Sequence, residues 1–346
     1  MLPESLFFTE TPGEEFFINF SFRVKNGNDL LPDGYEMAYE QIQFKVPVVE
    51  ASPFKKAEKL NLTQDNDAII LSNNDFSFTI DQNQGLPTSL KYNDVEMLAG
   101  AIKPNFWRAP TLNDDVDWWG KRRWKAAGLD SLTIANKTFK VQRVTESNVN
   151  VIVDLEFVNN NGDLVLKTTQ AYSVYGNGDV DVSMTVVPTD KVETFPKIGM
   201  QWRMPLYFDK VKYFGKDTEN YPDRDASGRV GVYERNASDF FEMHEEPQES
   251  GNRTGVRWVE IADKKGHGIR VSAEEHLNFS IYQYSDEDLT RAERINQIEP
   301  ADFWTVNIDY KQAPLGTATC GPGALDKYLI KNGIYEYSFT ISPLKK

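Results

Sequence analysis

Apolar and polar residues alternate in short runs from one end of this chain to the other, and a period of two excludes a fold built mainly on helices. Phe16-Phe17-Ile18-Asn19-Phe20-Ser21-Phe22-Arg23-Val24 and Tyr39-Glu40-Gln41-Ile42-Gln43-Phe44-Lys45-Val46 flank a Gly-Asn-Asp turn region. This is the pattern of antiparallel strands packed on one side. Further runs stand out at residues 68–71, 76–80, 149–157, 180–186 and 335–341, with turn signals at Asn160-Asn161-Gly162-Asp163 and Tyr175-Gly176-Asn177-Gly178-Asp179. Two or three strands cannot bury both faces alone, so residues 1–48 read as the end of an incomplete β-sandwich. The polar stretch Pro53-Phe54-Lys55-Lys56-Ala57-Glu58-Lys59 marks 49–59 as a linker. Residues 60–346 then form one all-β domain, larger than an immunoglobulin domain of about 100 residues.

Helix is scarce. One short helix is expected within Asp117-Trp118-Trp119-Gly120-Lys121-Arg122-Arg123-Trp124-Lys125-Ala126-Ala127-Gly128, stopped by the glycine. A second should start at Ser285, a capping serine followed by Asp286, Glu287 and Asp288. Neither is long enough to define the fold.

Charge narrows the partners. Against 38 basic residues stand 52 acidic ones, a net charge of −14, which argues against binding a nucleic-acid backbone and is compatible with neutral ligands such as sugars. One cysteine, Cys320, and three histidines allow neither an internal disulfide nor a zinc spacing, so no metal site is expected. No stretch approaches about 18 uninterrupted apolar residues, and no membrane segment is expected. The first residues lack a basic and then apolar leader pattern. The compartment, cytoplasmic or periplasmic, stays open because a signal peptide would lie upstream.

Four ordered stretches carry a resemblance. Pro104-Asn105-Phe106-Trp107-Arg108-Ala109-Pro110-Thr111-Leu112-Asn113-Asp114, followed by Trp124-Lys125-Ala126-Ala127-Gly128, resembles the opening of the last domain of glycoside hydrolase family 2 β-galactosidases. Glu219-Asn220-Tyr221-Pro222-Asp223-Arg224 is similar to that domain's central signature, and Pro247-Gln248-Glu249-Ser250-Gly251-Asn252-Arg253 to the next. Val306-Asn307-Ile308-Asp309 with Gly316-Thr317-Ala318-Thr319-Cys320-Gly321-Pro322 is a weaker fourth.

The resemblance implies a supersandwich of the galactose-mutarotase type at 60–346, and makes 1–48 the last strands of a preceding immunoglobulin-like domain. It implies a retaining enzyme whose two catalytic glutamates sit on a β/α barrel, and nothing in this chain alternates strand with helix often enough to build one. No catalytic residue is therefore expected here, and the chain alone should be inactive. Mg2+ and Na+ are implied for the full enzymes, at sites mainly on other domains. The implied partners are the catalytic barrel or large subunit and a galactoside substrate, with a homo-oligomer for the full enzyme.

Each matched residue has a structural and a functional reading. Arg108, Asn113 and Asp114 suit a loop locked by charge-assisted bonds, or a pocket rim. Glu219, Asn220, Tyr221, Pro222, Asp223 and Arg224 suit a buried hydrogen-bond network or a sugar-facing cluster. The same holds for Glu249 and Arg253, and Gly251 is expected to take a backbone conformation other residues resist. Cys320 and Gly321 occupy a loop where some family members place a sugar-stacking tryptophan, and Leu289-Thr290-Arg291-Ala292-Glu293-Arg294 lacks the histidine common near Glu293. Trp118, Trp119 and Trp124 suit packing or a sugar platform. Two other functions fit less of the sequence: an independent galactoside-binding module, and a sugar mutarotase drawing on His244, His267 or His276.

Overall fold

A computed structural model describes residues 15–45, 58–116 and 120–344. Most of the linker expected at 49–59 lies outside the described residues, as do Asp117, Trp118 and Trp119. The chain is all-β, and every strand pairing among the described residues is antiparallel. The described residues fall in two compact units, one within Met1–Lys55 and one within Lys56–Lys346.

The first unit is a hairpin of Phe16–Arg23 and Glu36–Lys45. Its register sets Ile18 opposite Ile42, Phe20 opposite Glu40 and Phe22 opposite Ala38. Opposite residues share a face in an antiparallel pair, so the apolar positions line one side of the hairpin. Among the described residues that side is open: Phe20, Phe22 and Ile42 are 42%, 61% and 50% exposed.

The second unit contains a twelve-stranded and a five-stranded sheet. Leu71, Phe78 and Ile80 from the smaller sheet and Val151, Leu155, Tyr172 and Val182 from the larger belong to one apolar core, and the Phe78 and Tyr172 rings meet at 5.7 Å. The strand Asn148–Val158 shows how the sequence makes this core. Val149, Val151, Val153, Leu155 and Phe157 turn inward and are buried, while Asn150, Asp154 and Glu156 take the other side. Each such inward side chain contributes roughly 1.5–3 kcal/mol.

Both expected helices are present and short. Lys121–Ala127 ends at Gly128, whose φ of +80° lets its N–H reach the carbonyls of Lys125 and Trp124. Trp124 is buried in the core from this helix. Asp286–Arg291 starts at Ser285, whose Oγ accepts a hydrogen bond from the Asp288 N–H at 3.0 Å.

Three adjacent strands, Lys197–Pro205, Phe303–Gln312 and the end of Gly268–Tyr282, differ from the rest in being buried on both faces. On one face Met200, Trp202 and Met204 lie opposite Ile308, Val306 and Trp304. On the other, Gly199 and Gln201 lie opposite Asp309 and Asn307, which in turn oppose Asn278 and Ser280. This second face is polar and still hidden from solvent, and it positions the site.

Candidate functional site

Loops and one helix cover the polar face, and each is tied to it by side chains. Glu249 reaches down from the segment after Phe240 and accepts a hydrogen bond from Gln312 Nε2 at 3.1 Å. Asn252 donates to Asn278. Asp286, on the second helix, accepts from Asn105 and Gln201 at 3.2 and 2.9 Å and from the Tyr282 hydroxyl. Gln201 also donates to Asn307, whose amide donates to Ser280 and Tyr282. These amide and hydroxyl groups largely satisfy one another, whereas Lys197 Nζ, both Asp309 oxygens and Asn252 Oδ1 are buried without a hydrogen bond.

Lys197 lies at the centre of this network, fully buried, with its Nζ 3.4 Å from Asp309 Oδ2 and 3.7 Å from Glu249 Oε2. Gly199 makes the arrangement possible, because a Cβ there would fall 1.9 Å from Asp309 Oδ1. Burial pushes the Asp309 carboxyl up to about 6, against the pull of Lys197. It pushes Glu249 up to about 7, with Lys197 opposing and the Asp286 charge adding to the rise. For Lys197 burial favours the neutral amine, but Asp309, Glu249 and Asp286 outweigh it and hold the ammonium above its ordinary range.

The residues singled out in the sequence gather around one loop, 313–319. Arg108 is fully buried and its Nη2 binds both oxygens of Asp114 at 2.9 Å. Its guanidinium also donates to the carbonyls of Ala313 and Pro314 at 2.7 and 3.0 Å. Asp223 accepts from the Leu315 and Gly316 N–H groups at 3.0 and 2.9 Å. Asn113 and Arg224 both donate to the Gly316 carbonyl, and Asn113 Oδ1 accepts from Thr319. Gly316 has a φ of +65°, which other residues resist. The Arg224 N–H returns to the Tyr221 carbonyl at 2.8 Å, a turn whose second position Pro222 suits.

Beside this loop is a cavity of about 460 Å3 lined by Asn113, Glu219, Asn220, Tyr221, Arg224 and Glu249, together with Thr111, Leu112, His244, Gln248, Leu315 and Thr319. Glu219 braces it by accepting the Gly251 N–H at 2.7 Å. Gly251 has a φ of +83°, and a Cβ there would meet the Phe240 carbonyl oxygen at 2.6 Å. Arg253 stays behind the wall, donating to the carbonyls of Gly251 and Asn252 over the Phe240 ring.

Two placements differ from a simple rim. Arg108 and Asp114 lie behind the cavity wall, because their charges are consumed by each other and by the loop carbonyls. Cys320 and Gly321 are exposed and are absent from the lining, which the loop enters through Leu315 and Thr319. Of the histidines, His244 lines this cavity, His267 lines a different one and pairs with Asp263, and His276 is exposed on its strand. The described residues contain no group of three or more His, Cys, Asp or Glu side chains arranged to hold a metal ion, and no helix long and apolar enough to cross a membrane.

Lys197, Gln201 and Gln312 escaped the sequence reading, which took Asp286 only as a first-turn acid of the second helix. The available signal was a lysine and a glutamine inside the otherwise apolar run Lys197-Ile198-Gly199-Met200-Gln201-Trp202.

The fold and site define a large antiparallel β domain whose central strands carry a polar face roofed by ordered loops. Residues 72–341 match the family described as β-galactosidase small chain, and the chain belongs to that family. It is 28% identical, over 98% of its length, to a β-galactosidase of Priestia megaterium (strain DSM 319 / IMG 1521), and 23% identical, over 95%, to one of Actinobacillus pleuropneumoniae. It spans about a third of the length of these relatives, 32% of each. Among solved structures, a galactose 1-epimerase from Lactobacillus acidophilus NCFM aligns with a TM-score of 0.45 and 11% identity over 82% of this chain and 98% of that one.

Proposed function

We propose that the chain is the non-catalytic C-terminal part of a family 2 β-galactosidase acting on terminal β-D-galactosides, and that its loops wall the entrance of the substrate pocket. The observation that carries this reading is the convergence of the family-matched segments on one loop and one cavity within a chain that spans a third of its β-galactosidase relatives. The cavity suits a neutral polyol. Asn113, Asn220, Gln248 and Thr319, each already tied to the protein by hydrogen bonds, leave further donors and acceptors beside Glu219, Arg224, His244 and Glu249, and Leu112 and Leu315 offer apolar contact. The general acid, the nucleophile and any bound Mg2+ or Na+ belong, on this reading, to the barrel-bearing remainder.

The hairpin supports the domain order proposed for such an enzyme. Its apolar face needs a covering sheet, as the last strands of an immunoglobulin-like sandwich would have.

Hydrolysis of a chromogenic galactoside tests the assignment. The purified chain should show no turnover alone and should restore it when mixed with the barrel-bearing remainder of a relative. Turnover by the chain alone, or no restoration by a folded mixture, sinks the reading. The cavity also favours a weaker second reading, a wall that binds galactosides by itself. Calorimetry with lactose decides it, a flat titration removing this alternative.

A further inference from the structure

Six ionisable groups are packed together under the loops: the carboxyls of Glu249, Asp309, Asp286 and Asp114, and the cations of Lys197 and Arg108. None is more than 5% exposed. Arg108 and Asp114 neutralise each other through the double contact at 2.9 Å. That leaves one ammonium, Lys197, for three carboxyls. A buried excess of like charge is costly, and the ordinary relief is to bind a proton.

The groups differ in their access to one. Asp309 is sealed between Gly199 and Lys197. Asp286 already accepts from Asn105, Gln201 and Tyr282, and it is absent from the cavity lining. Glu249 accepts one side-chain hydrogen bond, from Gln312, has Lys197 at 3.7 Å, and lines the cavity from which a proton can arrive. The charged and titratable groups around it are Lys197 and Asp309 on the central strands, Asp286 on the helix, Arg108 on the loop beneath, Tyr221, Glu219 and Arg224 on the facing turn, Tyr282 on the neighbouring strand, and His244 across the cavity.

We propose that Glu249 is a proton-binding switch of this cavity, taking a proton from the cavity side when the loop 313–319 is firmly seated and losing it as that loop loosens. The link is mechanical and short. Gln312 bridges Glu249 to Arg108, and Arg108 holds the carbonyls of Ala313 and Pro314. With Glu249 neutral, Lys197 serves Asp309 and the cluster carries one fewer negative charge. With Glu249 ionised, the carboxylates repel one another, and a Glu249 pushed from them draws Gln312, now held by a charge-assisted bond, off the Arg108 guanidinium that seats the loop. The switch deepens the proposed function, on which its meaning for a ligand rests, since Leu315 and Thr319 carry the loop into the cavity wall.

The test uses the full 346-residue chain with isotope-labelled glutamate carboxyl carbons, the Glu249 resonance being assigned by its loss in Glu249→Gln. The resonance should titrate with a midpoint near pH 7 rather than in the ordinary carboxylate range. Amide exchange at Leu315, Gly316 and Thr319, corrected for intrinsic rates, should quicken roughly tenfold across that midpoint, the factor that one pH unit of linked affinity supplies. Glu249→Gln should remove that pH dependence. Asp309→Asn deletes a neighbouring like charge and leaves Glu249 as the one ion-pair partner of Lys197 among the described residues, so the midpoint should fall. A resonance titrating in the ordinary range, loop exchange whose pH dependence persists in Glu249→Gln, or a midpoint unmoved by Asp309→Asn overturns the proposal. No sugar enters these measurements, so a failure to bind or process galactosides would sink the proposed function and leave the switch standing.

Discussion

Asn148–Val158 and Lys197–Pro205 are strands of the same sheet, and both alternate two kinds of side chain along a pleat. In the first, the polar side is directed to solvent and Asp154 is exposed. In the second, the polar side carries Lys197 and Gln201 and is roofed by loops, so that the strand is buried on both faces from Lys197 through Trp202. The comparison teaches that a period of two reports which residues share a side and says nothing of what covers that side. An outer polar face is solvated by water. The inner one must be satisfied by the protein itself, and its tolerance of substitution should differ accordingly.

The sharpest way to break the comparison is Lys197→Met. It leaves Asp309 and Glu249 buried without their ammonium, and urea unfolding should show a loss of about 3–5 kcal/mol. A loss below about 1 kcal/mol would place the inner face in the same class as the outer one. Gly199→Ala is next. A methyl 1.9 Å from Asp309 Oδ1 forces strand or carboxylate to move, at about 1–3 kcal/mol by the same assay. Asn307→Ala strips partners from Gln201, Ser280 and Tyr282 and should cost about 1–3 kcal/mol.

Proton linkage sharpens the contrast further. The Glu249 carboxyl rises from 4.5 unfolded to about 7 folded, and Asp309 from 3.8 to about 6. The folded chain therefore binds protons that the unfolded chain has released, and this contribution to stability is present in acid and lost as pH rises through the folded values. Glu249→Gln cannot ionise, so its stability relative to the parent should climb between about pH 4.5 and about pH 7 and then level. A constant difference across that window would contradict the linkage. On the outer face, Asp154→Ala should stay within about 0.5 kcal/mol of the parent.

Much of the fold was legible in the chain, because apolar alternation, hairpin turns and caps are local. Ser285 announced the helix Asp286–Arg291, and Gly128 the end of Lys121–Ala127. The candidate site was legible only in part. Asn113, Glu219, Asn220, Tyr221, Arg224 and Glu249 could be picked out by resemblance and do share a cavity. Their meeting on loop 313–319 could not be read, because Asp223 and Gly316 are 93 positions apart and Asn113 and Gly316 203 apart. Lys197 was hidden for a different reason. A lysine at a strand end normally marks solvent, and only the carboxyls brought from two other segments make this one a buried counter-charge.

The open side of the hairpin has a consequence for the chain's life in a cell. Phe20, Phe22 and Ile42 present an uncovered apolar strip on paired strands, the surface that chaperones and proteases read as unfinished folding. Whatever covers that strip therefore also hides the hairpin from that surveillance, so the cover protects the chain as well as completing a sheet.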